Sequence, residues 1–286
     1  MRWEGRRQSD NIEDRRGMRV SRGGLVGGGI GTLALVLLVM FLGGDPTAVL
    51  QQAGNAPATT EPSSEPYVET GEESVWRQQT AVVLAETEDA WNRIFAELGG
   101  EYREPTLVFF TDLVQSACGT ADSAVGPFYC PGDQKLYIDL SFYQQLERQL
   151  GAGGDFPRAY VVAHEVGHHV QNLMGISSRV HELRRRVGEV EGNQLSVRQE
   201  LQADCFAGIW ARQANRGGAF LEPGDIEEGL NAASAIGDDT LQRNAGQAVV
   251  PDAFTHGSSE QRIRWFNTGL ESGSLESCDT FQAADL

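Results

Sequence analysis

Residues 155–175 read DFPRAYVVAHEVGHHVQNLMG, and their pattern decides the fold. Phe156, Tyr160, Ala163, Gly167, Val170 and Met174 recur at steps of four and three, an apolar stripe that predicts an amphipathic helix over 156–174. Asp155 and Pro157 supply first-turn signals and Gly175 a stop. Within this helix, His164-Glu165-Val166-Gly167-His168 sets two imidazoles four residues apart, hence on one face, with Glu165 to their side. Both histidines follow a stripe residue by one position, so they stand at the rim of the buried face, where a cleft wall belongs. This is the arrangement of a hydrolytic zinc site: the ion lowers the pKa of a bound water from about 15.7 to about 7, and the carboxylate takes the remaining proton. His169 lies about 100° around the helix from His168, so a pair at 164 and 169 splays apart.

A catalytic zinc site takes three protein ligands and leaves a position open. The metzincin completion fails, because Gln171 stands in place of its glycine and Met174 in place of its third histidine. The remaining completion is a carboxylate on a later helix. SVRQELQADCFAGIWAR, residues 196–212, has Leu201, Cys205 and Ile209 on one face, with Glu200 and Asp204 near its edge. Glu200 is the expected third ligand. Asp204 is the expected carboxylate behind a ligating histidine, orienting it through its other ring nitrogen.

HEVGH at 164–168 with ELQAD at 200–204 resembles the gluzincin pattern. The phrases AYVVAHEVGHHVQNLMG, RQELQADCFAGIWA, FTHGSSEQRIRWF and GPFYCPGDQKLYIDLSFY resemble the bacterial membrane-anchored neutral zinc metallopeptidases, the YpfJ-like family. The resemblance spans most of the chain. It implies a zincin-like fold, one zinc ion held by His164, His168 and Glu200, and Glu165 as general base. Other gluzincins stabilise the oxyanion with a late histidine or tyrosine, which suggests His256, in a Gly/Ser turn, for that role, with Arg262 and Arg264 as alternatives. The resemblance also suggests that Gly126–Cys130 is an edge strand able to align a substrate backbone.

The remaining sequence bears on compartment. Residues 25–42, LVGGGIGTLALVLLVMFL, carry no charge, and with the flanking glycines they reach the roughly 20 residues that cross a bilayer. Arginines 2, 6, 7, 15, 16, 19 and 22 precede this run. By the positive-inside rule, residues 1–24 read as a cytoplasmic arm, 25–42 as an uncleaved single-pass anchor, 43–73 as a flexible linker and 74–286 as an extracytoplasmic peptidase domain. A cleaved signal peptide is the alternative. Taking the seven arginines and four acids of the arm from the totals of 23 basic and 40 acidic residues leaves 16 against 36, a charge of −20 on the rest. Nucleic acid is excluded as a partner by repulsion, and the acidity permits basic or neutral substrates.

Four cysteines fit an oxidising compartment. Cys118 and Cys130 bracket a small-residue loop and could close it, leaving Cys205 and Cys278. Three pairings are open, and zinc binding is disfavoured because no Cys-x-x-Cys occurs.

Strands are expected near 106–110, 126–130 and 135–140. Helices are expected near 75–98, 142–150, 156–174, 178–190, 196–215, 224–238 and 258–270. A small sheet leading into a mostly helical remainder is an α+β order. The combined reading is a membrane-anchored zinc endopeptidase acting on extracytoplasmic peptides or proteins. The alternatives are a catalytically silent envelope scaffold and a zinc amidase acting on cell-wall material.

Overall fold

Sheet and helices divide the chain as the α+β order predicts. The computed structural model describes residues 1–21, 59–62 and 67–286. Its first strands are β1 (Ile12–Asp14), β2 (Met18–Ser21) and β3 (Thr59–Pro62), followed by helix α1 (Gly71–Glu97). Thr70 caps α1 reciprocally with Glu73, each side chain taking the other's backbone N–H. Strands β4 (Thr106–Phe110), β5 (Leu113–Ser116), β6 (Gly119–Asp122), β7 (Phe128–Cys130) and β8 (Lys135–Asp139) come next. The remainder is helical: α2 (Ser141–Arg148), α3 (Asp155–Leu173), α4 (Ile176–Arg184), α5 (Glu189–Ala214), α6 (Asp225–Ala235), α7 (Asp238–Asn244) and α8 (Ser259–Ser272).

The main sheet has the order β1-β4-β8-β7; β1, β4 and β8 run parallel, and β7 pairs antiparallel with β8 at the edge. Strand β4 reads TLVFF because both of its faces are covered. Leu107 and Phe109 enter the main core with the helices, whereas Val108 and Phe110 join Val114, Cys130 and Tyr137 in a smaller cluster on the other face.

Close helix crossings fix the helical side of the core. A Cβ at Gly167 would stand 2.9 Å from the Ala203 carbonyl oxygen, so α3 and α5 approach this closely only at a glycine. Where α5 crosses α8, Gly208 and Gly269 face each other's helix; a Cβ on Gly269 would lie 1.9 Å from the Cys205 carbonyl oxygen.

The single-pass arrangement is overturned. Among the described residues no helix is long and apolar enough to cross a membrane, and the run 25–42 lies outside them. Strand β1, which precedes that run, is hydrogen-bonded in register with β4, which follows it: Ile12 opposite Leu107 and Asp14 opposite Phe109. One crossing at 25–42 would put these partners on opposite sides of a bilayer. The placement of a cytoplasmic N-terminus and an extracytoplasmic domain is therefore corrected.

The folded unit also does not begin near Ser74. Several of the arginines read as an inside signal are instead ion-paired within the fold: Arg6 with Glu86, Arg7 with Glu88 and Asp89, and Arg16 with Asp14 and Glu69. Most of the linker expected over 43–73 lies outside the described residues; within it, β3 pairs antiparallel with β2.

Candidate metal centre

Helices α3 and α5, locked at Gly167, bring His164, His168 and Glu200 together; one ligand atom from each lies within 4.8 Å of the others. The Nε2 atoms of His164 and His168 stand 3.1 and 3.4 Å from Glu200 Oε2. On the far side of each ring, Nδ1 has an acceptor: Asp204 Oδ1 at 2.8 Å for His164 and Gln171 Oε1 at 2.9 Å for His168. With Nδ1–H donating outward, both Nε2 atoms are turned toward Glu200, on the side where a cation would be held. Two such imidazoles and a carboxylate are the donor set zinc takes, so the residues present fit the ion.

Behind His164 lies a closed polar network. Asp204 is fully buried and accepts from Tyr160 Oη (2.5 Å) and, bidentately, from Arg262 Nε and Nη2 (2.9 Å each). This engages Nε and Nη2 of Arg262, while its Nη1 has no hydrogen-bond partner among the described residues and the residue borders the cleft. Arg264 points elsewhere, donating to the Leu286 carbonyl. Behind His168 a chain of amides continues: Gln171 Nε2 donates to Gln202 Oε1 at 3.1 Å, and Gln202 Nε2 donates to the Cys278 carbonyl at 3.0 Å.

His169 is wholly buried and turned away from the metal ligands. Its Nε2–H donates to the Arg103 carbonyl (2.6 Å), and Nδ1 accepts from Tyr129 Oη (3.0 Å), which in turn accepts from Asn172. Tyr129 belongs to β7, so this chain of bonds fastens the edge strand beside α3. His256 is half-exposed and borders the same cleft. Asp238 holds it: Oδ1 meets His256 Nδ1 at 3.1 Å, and Oδ2 accepts the backbone N–H of Thr255, His256 and Gly257.

The cleft has a volume of about 520 Å³ and is walled by β7, α3, α5 and the His256 loop. Its electrostatics favour a cation. Burial opposes charge on His164, but Asp204 and Glu200 outweigh it and push the imidazole up to about 10. His168 is raised in the same way by Glu200. Glu200 is held well below the usual carboxylate range, burial being outweighed by His168 and His164. Asp204 is lowered too, with Arg262 and His164 overcoming its burial. Glu165 moves the other way: burial raises its carboxyl against the pull of the two histidines. Burial pushes His169 down to about 4, leaving it neutral.

The cysteines pair as Cys118–Cys130 and Cys205–Cys278, with Cα separations of 5.8 and 5.7 Å. The second bridge ties the C-terminal tail to α5, next to the carbonyl that receives Gln202. Sequence reasoning assigned no role to Gln171, Gln202, Tyr160 or Asp238. For Gln171 the available signal was its place one turn after His168; Asp238 carries none.

A family model described as "Putative neutral zinc metallopeptidase" matches residues 1–281. The chain belongs to that family. Within this zinc metallopeptidase family, the chain is similar to uncharacterized protein YpfJ of Escherichia coli (strain K12), 46% identical over 98% of this chain and 99% of the relative. It is also similar to uncharacterized proteins Rv2575 of Mycobacterium tuberculosis and Mb2605 of Mycobacterium bovis. Each of these is 41% identical over 86% of either chain. No solved structure matches. Membership implies a zinc ion, and His164, His168 and Glu200 are the group able to hold it.

Proposed function

We propose that this chain is a zinc-dependent endopeptidase of peptides or proteins with a zincin-like fold, in which His164, His168 and Glu200 hold the ion and Glu165 is the general base. The observation that supports this most is the convergence of three ligand atoms within 4.8 Å, beside a buried Glu165, in one cleft. When bound there, zinc supplies a Lewis acid and lowers the pKa of water to about 7.

The chain's own residues do the rest. Glu165, its carboxyl raised by burial, takes the proton of the attacking water and returns it to the leaving amine nitrogen. Asp204, kept ionised by Arg262, holds His164 in the tautomer that presents Nε2, and Gln171 does the same for His168. His256 has Nδ1 engaged by Asp238, which leaves Nε2–H to donate to the oxyanion that forms as the carbonyl is attacked. Strand β7, unpaired on its outer side, borders the cleft and can take a substrate backbone as an added strand.

The test is metal content and hydrolysis of an unfolded protein, measured together. Glu165→Gln retains the metal and loses activity by about 10²-fold or more. His164→Ala and Glu200→Ala lose the metal. A Glu165→Gln variant that hydrolyses at the parent rate sinks the reading, and so does a Glu200→Ala variant that binds zinc as tightly as the parent.

A further inference from the structure

The charged side chains that line the cleft are nearly all accounted for. His164, Glu165, His168 and Glu200 form the centre, His256 is held by Asp238, and Arg262 by Asp204. Arg184 is left over. It ends α4, is exposed, and follows Ser177 by seven residues; two helical turns put both on one face, and both line the cleft. Among the described residues no carboxylate lies within 4.0 Å of its guanidinium. The same side chain borders an adjoining hollow together with His181, Arg185 and Glu189.

Its surroundings reverse the sign of the molecule. The chain carries a net charge of −17, yet ISSRVHELRRRVG, residues 176–188, holds four arginines against the single acid Glu182. Arg179, Arg184 and Arg185 form no ion pair among the described residues, and Arg186 reaches Glu182 only at 3.9 Å with both side chains largely exposed. Elsewhere some arginines are matched to carboxylates, as Arg6, Arg7 and Arg16 are, and others, such as Arg103 and Arg148, stand alone among the described residues without bordering the cleft. Of the four arginines in 176–188, Arg184 alone lines the cleft, and Arg185 borders the adjoining hollow.

We propose that Arg184, with Arg185 beside it, is a subsite for an acidic side chain of the substrate, so that peptides with Asp or Glu a few residues from the scissile bond are preferred. The proposal rests on the peptidase reading above and names its substrate class. It reverses what overall charge alone permits: the negative surface at large repels an acidic peptide, while the local positive spot at the cleft mouth steers its acidic residues to one place. Exposed ion pairs are individually modest and screened by salt, so two of them select by roughly 3–10-fold, most strongly at low ionic strength.

The experiment uses the full chain loaded with zinc and fluorescein-labelled peptides that share an apolar centre. Their flanks carry Asp-Glu-Asp, three Gln or three Lys, on either side. Hydrolysis by the parent and binding to Glu165→Gln, followed by anisotropy, are measured in parallel. The acidic peptide is expected to exceed the Gln peptide by about 3–10-fold in kcat/KM and in affinity. That ratio should fall to one or below in Arg184→Glu/Arg185→Glu and recover in Arg184→Lys/Arg185→Lys. Equal handling of acidic and Gln peptides overturns the proposal, as does an acidic preference that survives the charge reversal. Arginine-dependent binding of phosphatidylglycerol vesicles without any sorting of peptides also overturns it, in favour of an anionic surface. Charge-sorted binding without hydrolysis keeps the subsite and removes the peptidase reading; hydrolysis without sorting does the reverse.

Discussion

Gln171 reaches His168 from one helical turn away, and among the described residues nothing else accepts that ring's Nδ1–H. Gln171→Leu keeps the side chain's bulk but leaves the imidazole free to rotate and the Gln202 carbonyl oxygen without its donor. Zinc affinity should drop by about 10–100-fold with the fold intact, as measured by competition with a chromogenic chelator. The Asp238–His256 pair yields a second residue-scale prediction, through pH. Asp238 holds the His256 pKa above its ordinary 6.5 against its partial burial. The folded state therefore binds the proton more tightly, and the stability this adds is full below about 6.5 and lost as pH rises through the raised value. Asp238→Asn removes that contribution while its amide oxygen can still accept the loop's backbone N–H groups. The stability gap between parent and variant should be wider near pH 6 than near pH 9 in urea unfolding; a gap independent of pH would show the pair to be electrostatically idle.

At the scale of elements, the α5–α8 crossing is the least forgiving contact. Gly269→Ala places a methyl 1.9 Å from a backbone carbonyl, so the helices must part. We expect a loss of about 3 kcal/mol in denaturant midpoint analysis, with metal binding weakened because Arg262 rides on α8. What was legible in the sequence follows the same logic of local periodicity. The stripe from Phe156 to Met174 predicts a helix over 156–174, and α3 spans Asp155–Leu173; β4 falls on 106–110 as expected. His164 and His168 were readable because helical spacing alone puts them on one face, with Glu165 to their side; Glu200, on another helix, is reached through the ligand count and the resemblance. Illegible were features made through space. Strand β1 lies in a polar, arginine-rich arm with no alternation to mark it, and β6, GTAD, is mostly exposed. Asp238 meets His256 across 18 residues of chain, and the region expected as one helix over 224–238 breaks at Gly237, where a Cβ would strike Ser259. The helix expected over 178–190 ends at Arg184, and α5 starts at Glu189, seven residues before the expected start at Ser196.

For the molecule as a whole, the Cys205–Cys278 bridge closes a loop of 73 residues and secures the tail against α5. Chain entropy assigns such a loop about 4 kcal/mol, so Cys205→Ser/Cys278→Ser should lose stability by up to that amount in urea, with a further loss of up to about 3 kcal/mol on adding a thiol that opens the other bridge. That outcome would separate the long bridge from Cys118–Cys130, whose separation is 12. Strand β1 has a consequence of another kind. It pairs with β4 across 95 positions of sequence, Ile12 with Leu107, and it does so in parallel. At synthesis rates of 5–20 residues per second, the first strand waits roughly 5–20 s on the ribosome before its neighbour exists. The main sheet therefore cannot grow outward from the N-terminus in the order of synthesis. It must be completed by capture of an early segment after the later strands are made, which makes this pairing a natural rate-determining event in the folding of the chain.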